Sequence, residues 1–451
     1  MDTFKSPSGI PEAVPSAHTY IFISYIFRIL WTVLVALSWY GSALLITAQY
    51  AAFQNNPISF VVETTYKDWD THFPSVAVCE SDNSRRIEEI SDRLWGENHD
   101  FNMEEVLKEI SFFKGITYYT SEFCGSVDPL PDCIKSNLTY YASLVRSSCH
   151  EMLSNCSWNG VPFDCCSYFR PLDTELGTCF SINTLQGRDA KATKLEMISN
   201  RKTGPGAIRF NVMATANVYV LNEEDVPTLT TIGSDVLTVS PEIRYITIRN
   251  VENDYGARLI NPVKRKCRYS DENLLQVYKY YSYTACTVQC RKLAQLKFCN
   301  CTNYFIPNLP EHLKCDVKGI ICLNNHLNEL SVLKARWSTR SGLFCDCLPS
   351  CTEAEISIMK DFKMMTGESF ATVQIELAML PSERYRRNVV RGVLDLVVST
   401  GGTCGLFLGV SILSFVELLY ILLIRPFCDI YMKEKIIIPQ VTVANHFAKS
   451  C

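Results

Sequence analysis

The sequence predicts a membrane protein of mixed helix and strand, with two bilayer-crossing helices flanking one large, disulfide-rich extracellular domain. Three observations predict it. Two stretches, one near each end, are apolar for long enough to cross a hydrocarbon core of about 30 Å as helices. Eighteen of the 21 cysteines lie between them, an even number that suits full pairing in an oxidising compartment. Between the two stretches the hydrophobic period changes from helical to alternating and back again.

Taken in order, residues 1–28 are polar and carry Pro7, Pro11 and Pro15, with no pattern of a cleaved leader; they are expected to be a cytosolic amino terminus. The first span is expected over 29–50. Ile29 to Ala48 is uncharged, Arg28 sits at its amino end, and Trp31, Trp39, Tyr40 and Tyr50 suit the interface. No other segment before Asn388 is apolar for long enough to span, so two spans put both termini on one side. Arg28 beside the first span, with Arg425, Lys433 and Lys435 after the second, puts that side in the cytosol, although Arg384, Arg386, Arg387 and Arg391 crowd the other mouth.

Residues 51–391 would then be extracellular. Helices are expected where Ile87, Ile90 and Leu94 recur, and where Val106, Leu107, Ile110 and Phe113 recur. Alternation predicts strands from Ile208 to Val220 and from Val236 to Ile248, with turn signals at Gly233-Ser and Ser240-Pro. Cys286, Cys290 and Leu293 lie at i, i+4 and i+7, which predicts a helix presenting two cysteines on one face. Asn137-Leu-Thr, Asn155-Cys-Ser and Asn300-Cys-Thr are glycosylation sequons. Cys299-x-Cys301 and Cys345-x-Cys347-x3-Cys351 lack the CxxC spacing and nearby histidines of zinc sites, so disulfides are expected and no metal.

The second span is expected as one helix over 392–424, with 425–451 a cytosolic tail. No charge occurs between Asp395 and Glu417. Gly401, Gly402, Gly405 and Gly409 sit in its middle, with Ser399, Thr400, Ser411 and Ser414 around them. At about 100° per residue, Asp395, Gly402, Gly405 and Gly409 share an arc of roughly 80°. Two readings compete for this small face. The GxxxGxxxG run Gly401, Gly405, Gly409 lets helices approach closely; a lumen bounded by small residues and exposed carbonyls conducts ions. Glu417 favours the lumen, because an ionisable group within a span costs about 2.5–3.5 kcal/mol on insertion scales and faces water or a partner.

Composition narrows the classes further. A net charge of −4 argues against nucleic-acid binding, and 47% apolar residues against a many-span transporter. No GxSxG, HExxH or phosphate loop occurs, so no enzyme and no cofactor are expected.

Four stretches, in order, carry a resemblance. They are Phe73-Pro-Ser-Val-Ala-Val-Cys79; Gly177-Thr-Cys179-Phe-Ser-Ile-Asn183; Tyr281-Ser-Tyr-Thr-Ala-Cys286-x3-Cys290-x8-Cys299-x-Cys301 with Cys345-Asp-Cys347-Leu-Pro-Ser-Cys351; and Gly401-Gly-x2-Gly-Leu-Phe-Leu-Gly409-x-Ser411-x2-Ser414-x2-Glu417. Together they resemble the degenerin and epithelial sodium channel superfamily, most closely its insect pickpocket branch, and they cover nearly the whole chain.

The resemblance implies an amiloride-sensitive, sodium-selective trimeric channel at the plasma membrane, either homomeric or built with related subunits. The permeant sodium ion would be its only small-molecule partner besides lipid. The extracellular domain would be an α+β assembly likened to a hand, with palm, finger and thumb. Gly409, Val410 and Ser411 would form the selectivity filter, Val398, Ser399, Gly401, Gly402 and Gly405 the gate and blocker region, and Glu417 the inner vestibule. Cys79 would pair with Cys179. A thumb ladder over 267–351 would pair Cys267 with Cys351, Cys286 with Cys347, Cys290 with Cys345, Cys299 with Cys322, and Cys301 with Cys315. The partners of Cys124, Cys133, Cys149, Cys156, Cys165 and Cys166 stay open among 15 connectivities. The chain departs from the family where His18-Thr19 replaces its His-Gly and where Ser399-Thr400 replaces an acidic residue before the paired glycines. Val398 stands where bulky side chains hold some degenerins open. Two other classes are weighed beside the channel: a non-conducting auxiliary subunit, and a two-span cysteine-rich receptor, which has no need of the glycine stripe or of Glu417.

Overall fold

The computed structural model describes residues 17–427 except 56, 65–68, 127–132, 188–194, 238–240, 365–369 and 410. The chain divides into two compact units. One is Phe60–Asn388; the other joins the two ends of the chain, up to Ser59 and from Val389.

The larger unit is built on two sheets. A five-stranded antiparallel sheet has the order Ser234–Val236, Thr215–Leu221, Ser75–Asp82, Gly177–Ile182, Arg170–Thr174. A six-stranded sheet has the order Glu355–Lys363, Glu242–Arg249, Ala371–Leu377, Ala207–Val212, Leu153–Trp158, Val161–Phe163. In the six-stranded sheet Glu242–Arg249 runs parallel to Ala371–Leu377, in register Glu242 to Val373. Val76, Val78, Phe180, Ile182, Ala216 and Val218 from the first sheet meet Ile208, Phe210, Val212, Ile246, Val373 and Ile375 from the second in one core. Fully burying each of the larger of these side chains stabilises by about 1.5–3 kcal/mol.

Each strand expected from alternation is in fact two. Ala207–Val212 and Thr215–Leu221 lie in different sheets, as do Ser234–Val236 and Glu242–Arg249. The inward set Ile208, Phe210, Val212, Ala216 and Val218 keeps an even phase across the crossover, because both sheets turn their inner faces to the same core. The pattern therefore shows burial and hides the change of sheet.

Helices form a second core. Ser84–Trp95 starts at Asn83, whose side chain accepts from Arg86 N, and Phe101–Ser111 starts at Asp100, whose side chain accepts from Asn102 N. Ile87, Ile90, Val106, Leu107 and Ile110 are buried against Leu138 and Val145 and against Ile320 and Leu323 of Val317–Asn325, while Leu94 stays at the surface. Tyr283–Cys299 begins at Ser282, which accepts from Ala285 N at 3.1 Å, and buries Ala285 and Val288 against Leu172, Val226 and Ile306. A third, three-stranded sheet has the order Ile58–Glu63, Arg384–Val389, Val251–Asn253.

In the unit formed by the chain ends, the first helix runs Ala17–Asn55, beyond both bounds of the expected 29–50, and Thr19 lies within it. Among the described residues it is the one helix long and apolar enough to cross a membrane. The stretch expected as a single helix over 392–424 is interrupted. Helix Val393–Leu408 ends at Gly409, and a second piece starts at Ile412 and runs through Leu419 into a wider turn over Tyr420–Ile424.

Candidate functional site

The candidate site is the glycine-rich helix Val393–Leu408 and the break that follows. Its first turn is fixed by Asp395, whose Oδ2 accepts from Gly392 N at 2.9 Å. One face packs on helix Ala17–Asn55. Gln49 Nε2 donates to Thr403 Oγ1 at 3.1 Å, and Thr403 Oγ1 donates to Ser399 O at 2.9 Å. A Cβ on Gly41 would stand 3.1 Å from the Phe407 ring, so the first helix gives up a side chain where that ring lies. Thr403 and Ser42 are buried.

The small residues face elsewhere. At about 100° per residue, Val398, Gly401, Gly402, Gly405 and Gly409 lie roughly 100–160° around the helix from Thr403. Gly401, Gly402 and Gly409 have open space where a Cβ would go, and Val398 is 64% exposed. The glycine stripe is thus not the surface that meets the chain's own first helix.

The break has a local cause. Gly409 takes φ +65°, in the left-handed region that suits glycine, while its N–H still bonds Gly405 O at 3.1 Å. Ser411 then caps the next piece, its Oγ accepting from Ser414 N at 3.2 Å. Carbonyls at such an interruption lose their helical partners. Val410, at the centre of the expected filter, lies outside the described residues. Glu417 is exposed on the second piece, and Ser399 and Gly405 are exposed on the first.

In the larger unit the expected cysteines are brought together as Cys79–Cys179, Cys267–Cys351, Cys286–Cys347, Cys290–Cys345, Cys299–Cys322 and Cys301–Cys315. The open set pairs as Cys124–Cys133, Cys149–Cys166 and Cys156–Cys165. Asn137, Asn155 and Asn300 are all exposed with positive φ, Asn300 at the end of helix Tyr283–Cys299. Beside the three-stranded sheet, Arg384 Nε and Arg386 Nη1 donate to the two oxygens of Glu63 at 2.7 and 3.0 Å, which lowers the Glu63 carboxyl below its usual range.

Two polar contacts escape inspection of the sequence. Gln49 carries the only amide in its apolar stretch, and that was the available signal for a contact across two helices. The other is Glu175 with Arg291, both fully buried. Arg291 Nη1 bonds Glu175 Oε1, Arg291 Nε donates to Leu330 O at 3.0 Å, and Leu229 N donates to Glu175 Oε1 at 2.7 Å. The two lie 116 positions apart, so no local pattern announces the pair.

Comparison with known proteins completes the assignment. Sodium channel protein Nach of Drosophila ananassae is 24% identical over 403 residues, covering 82% of this chain and 76% of that protein. Pickpocket protein 19 of Drosophila melanogaster is 21% identical over 410 residues, covering 81% and 79%. A solved proton-activated chloride channel aligns over 88% of this chain and 98% of its own at 7% identity, with a TM-score of 0.26 that is too low to bear on the fold. The family model described as amiloride-sensitive sodium channel matches residues 9–421, and with a match of that extent the chain belongs to this family.

Proposed function

We propose that this chain is a subunit of a sodium-selective, amiloride-sensitive cation channel that conducts passively through a three-fold pore. Two spans place both termini in the cytosol and residues 51–391 outside the plasma membrane. Three chains, identical or related, surround an axis with closed symmetry. The observation that carries the reading is the open glycine face. A stripe of small residues turned away from the chain's own first helix fits a lumen shared with neighbouring copies. Names of relatives such as sodium channel protein Nach support the class of ion.

In this reading Gly409, Val410 and Ser411 select the ion with backbone carbonyls around the helix break. Val398, Ser399, Gly401, Gly402 and Gly405 hold the gate and the blocker site, and Glu417 enriches cations at the inner mouth. The sequons at Asn137, Asn155 and Asn300 carry glycans. A valine at position 398 keeps the gate from closing fully, so current flows at rest.

The test is a patch-clamp recording of the chain expressed alone, with sodium exchanged for potassium outside and amiloride added. A resting, amiloride-blocked inward current that favours sodium is expected. A silent membrane, with current appearing only when a related subunit is co-expressed, would reassign the chain as an auxiliary subunit.

A further inference from the structure

The larger unit carries a short apolar patch outside the glycine-rich helix and its break. Strand Val251–Asn253 runs parallel to Arg384–Val389, in register Asn253 to Arg387, and Asp254 N donates to Arg387 O at 2.9 Å. Residue 254 therefore sits beside Arg387, one residue before this unit ends at Asn388. The next residues form the turn Tyr255–Leu259 and the short helix Pro262–Arg265.

This segment is hydrogen-bonded to a buried arginine yet apolar outside. The fully buried Arg265 side chain donates to Cys267 O at 3.0 Å through Nε, and through Nη1 to Ala257 O, Arg258 O and Ile260 O at 3.3, 3.4 and 3.2 Å. Its Nη2 pairs with Glu272, and its guanidinium lies 4.6 Å from the centre of the Tyr269 ring. One arginine thus takes up three carbonyls of the turn and fixes its shape. Ala257 is buried, whereas Tyr255, Leu259 and Val263 are 82%, 81% and 73% exposed. Lys264 and Lys266 stand on either side of Arg265, both exposed. Three large apolar side chains held outward within nine residues, with cationic neighbours, have the composition of a bilayer-interface contact: an aromatic for the headgroup level, aliphatics below it, and lysines for phosphate.

We propose that Tyr255–Val263 is a membrane-interface anchor, inserting Tyr255, Leu259 and Val263 into the headgroup boundary of the outer leaflet. This rests on the two-span reading. The anchor ties to the lipid surface the strand that pairs with the last residues before the second span, so the state of the outer leaflet bears on how that span is held.

The test uses the full chain in phosphatidylcholine nanodiscs, with the photo-crosslinking residue p-benzoylphenylalanine placed at Leu259. The same residue at Leu37 in the first helix reports on spanning, and at Ile232, which is 95% exposed, reports on solvent. Lipid adducts are expected at positions 259 and 37 and not at 232. Adducts at 37 with none at 259, or cross-links from 259 only to protein, overturn the anchor and leave the spanning reading intact. No lipid adduct at 37 overturns both. A second measurement covers perturbation by the bulky probe. In the variant Y255S/L259S/V263S the amide hydrogens of 254–264 should exchange faster in nanodiscs than in the parent; unchanged exchange counts against the anchor.

Discussion

Glu175 and Arg291 show what one pair of residues does for the larger unit. Both are fully buried, and the arginine joins helix Tyr283–Cys299 to the turn that follows strand Arg170–Thr174. Removing one partner strands the other charge in the interior. Arg291→Met or Glu175→Gln should destabilise by about 3–5 kcal/mol, while the double variant should recover much of that loss. Thermal unfolding of the purified protein checks this; additive losses would mean the pair acts as two separate packing positions. His99 has a different role. Its Nε2 lies 3.0 Å from Glu104, and its Nδ1 lies 2.8 Å from Gly96 O and 3.4 Å from Asp92. Desolvation pulls its pKa down, but the Gly96 carbonyl, Glu104 and Asp92 outweigh this and leave it raised above 6.5. A raised folded-state pKa gives stability that is present below the unfolded value and lost as pH rises through the folded one. His99→Gln should therefore cost more stability at about pH 5.5 than at about pH 8.5. An equal loss at both would assign His99 to packing against Trp95, whose ring centre lies 6.3 Å away.

At the scale of elements, the disulfide ladder over 267–351 is nested, and nesting limits what each rung contributes. Cys267–Cys351 closes 84 residues, a loop worth between 4 and 5 kcal/mol, very approximately, in the chain-entropy model if it stood alone. With Cys286–Cys347 intact inside it, the loop left to close is about two dozen residues, worth about 3 kcal/mol. The variant C267S/C351S should lose the smaller amount and keep the inner rungs, as read by unfolding and by non-reducing peptide mapping. A loss well above that value would show that Arg387, which donates to Cys267 Sγ and Cys351 O, adds its own share. This element also marks how far the sequence was legible. The i, i+4 spacing of Cys286 and Cys290 announces a helix, and an even cysteine count announces pairing. The helix break was not legible, because glycines at four-residue spacing look alike whether they pack, line a lumen or reverse φ; only the backbone at Gly409 distinguishes them. The crossover near Met213 was hidden for the opposite reason, since one core served by two sheets leaves an unbroken alternation.

For the whole molecule, the proposed three-fold assembly would turn single side chains into rings. One Glu417 on an isolated helix is an exposed carboxylate. Three around an axis make a focused negative field that raises the local concentration of cations. That field is screened over about 8 Å at physiological ionic strength and reaches further when salt is dilute. Glu417→Gln should therefore lower single-channel conductance for inward sodium current while leaving trimer formation unchanged, and the deficit should be larger in dilute salt. Cross-linking reads the assembly and single-channel recording reads the current. Should conductance stay the same at both ionic strengths, Glu417 does not face the pore, and its place in the span would be that of a hydrogen-bond partner between helices.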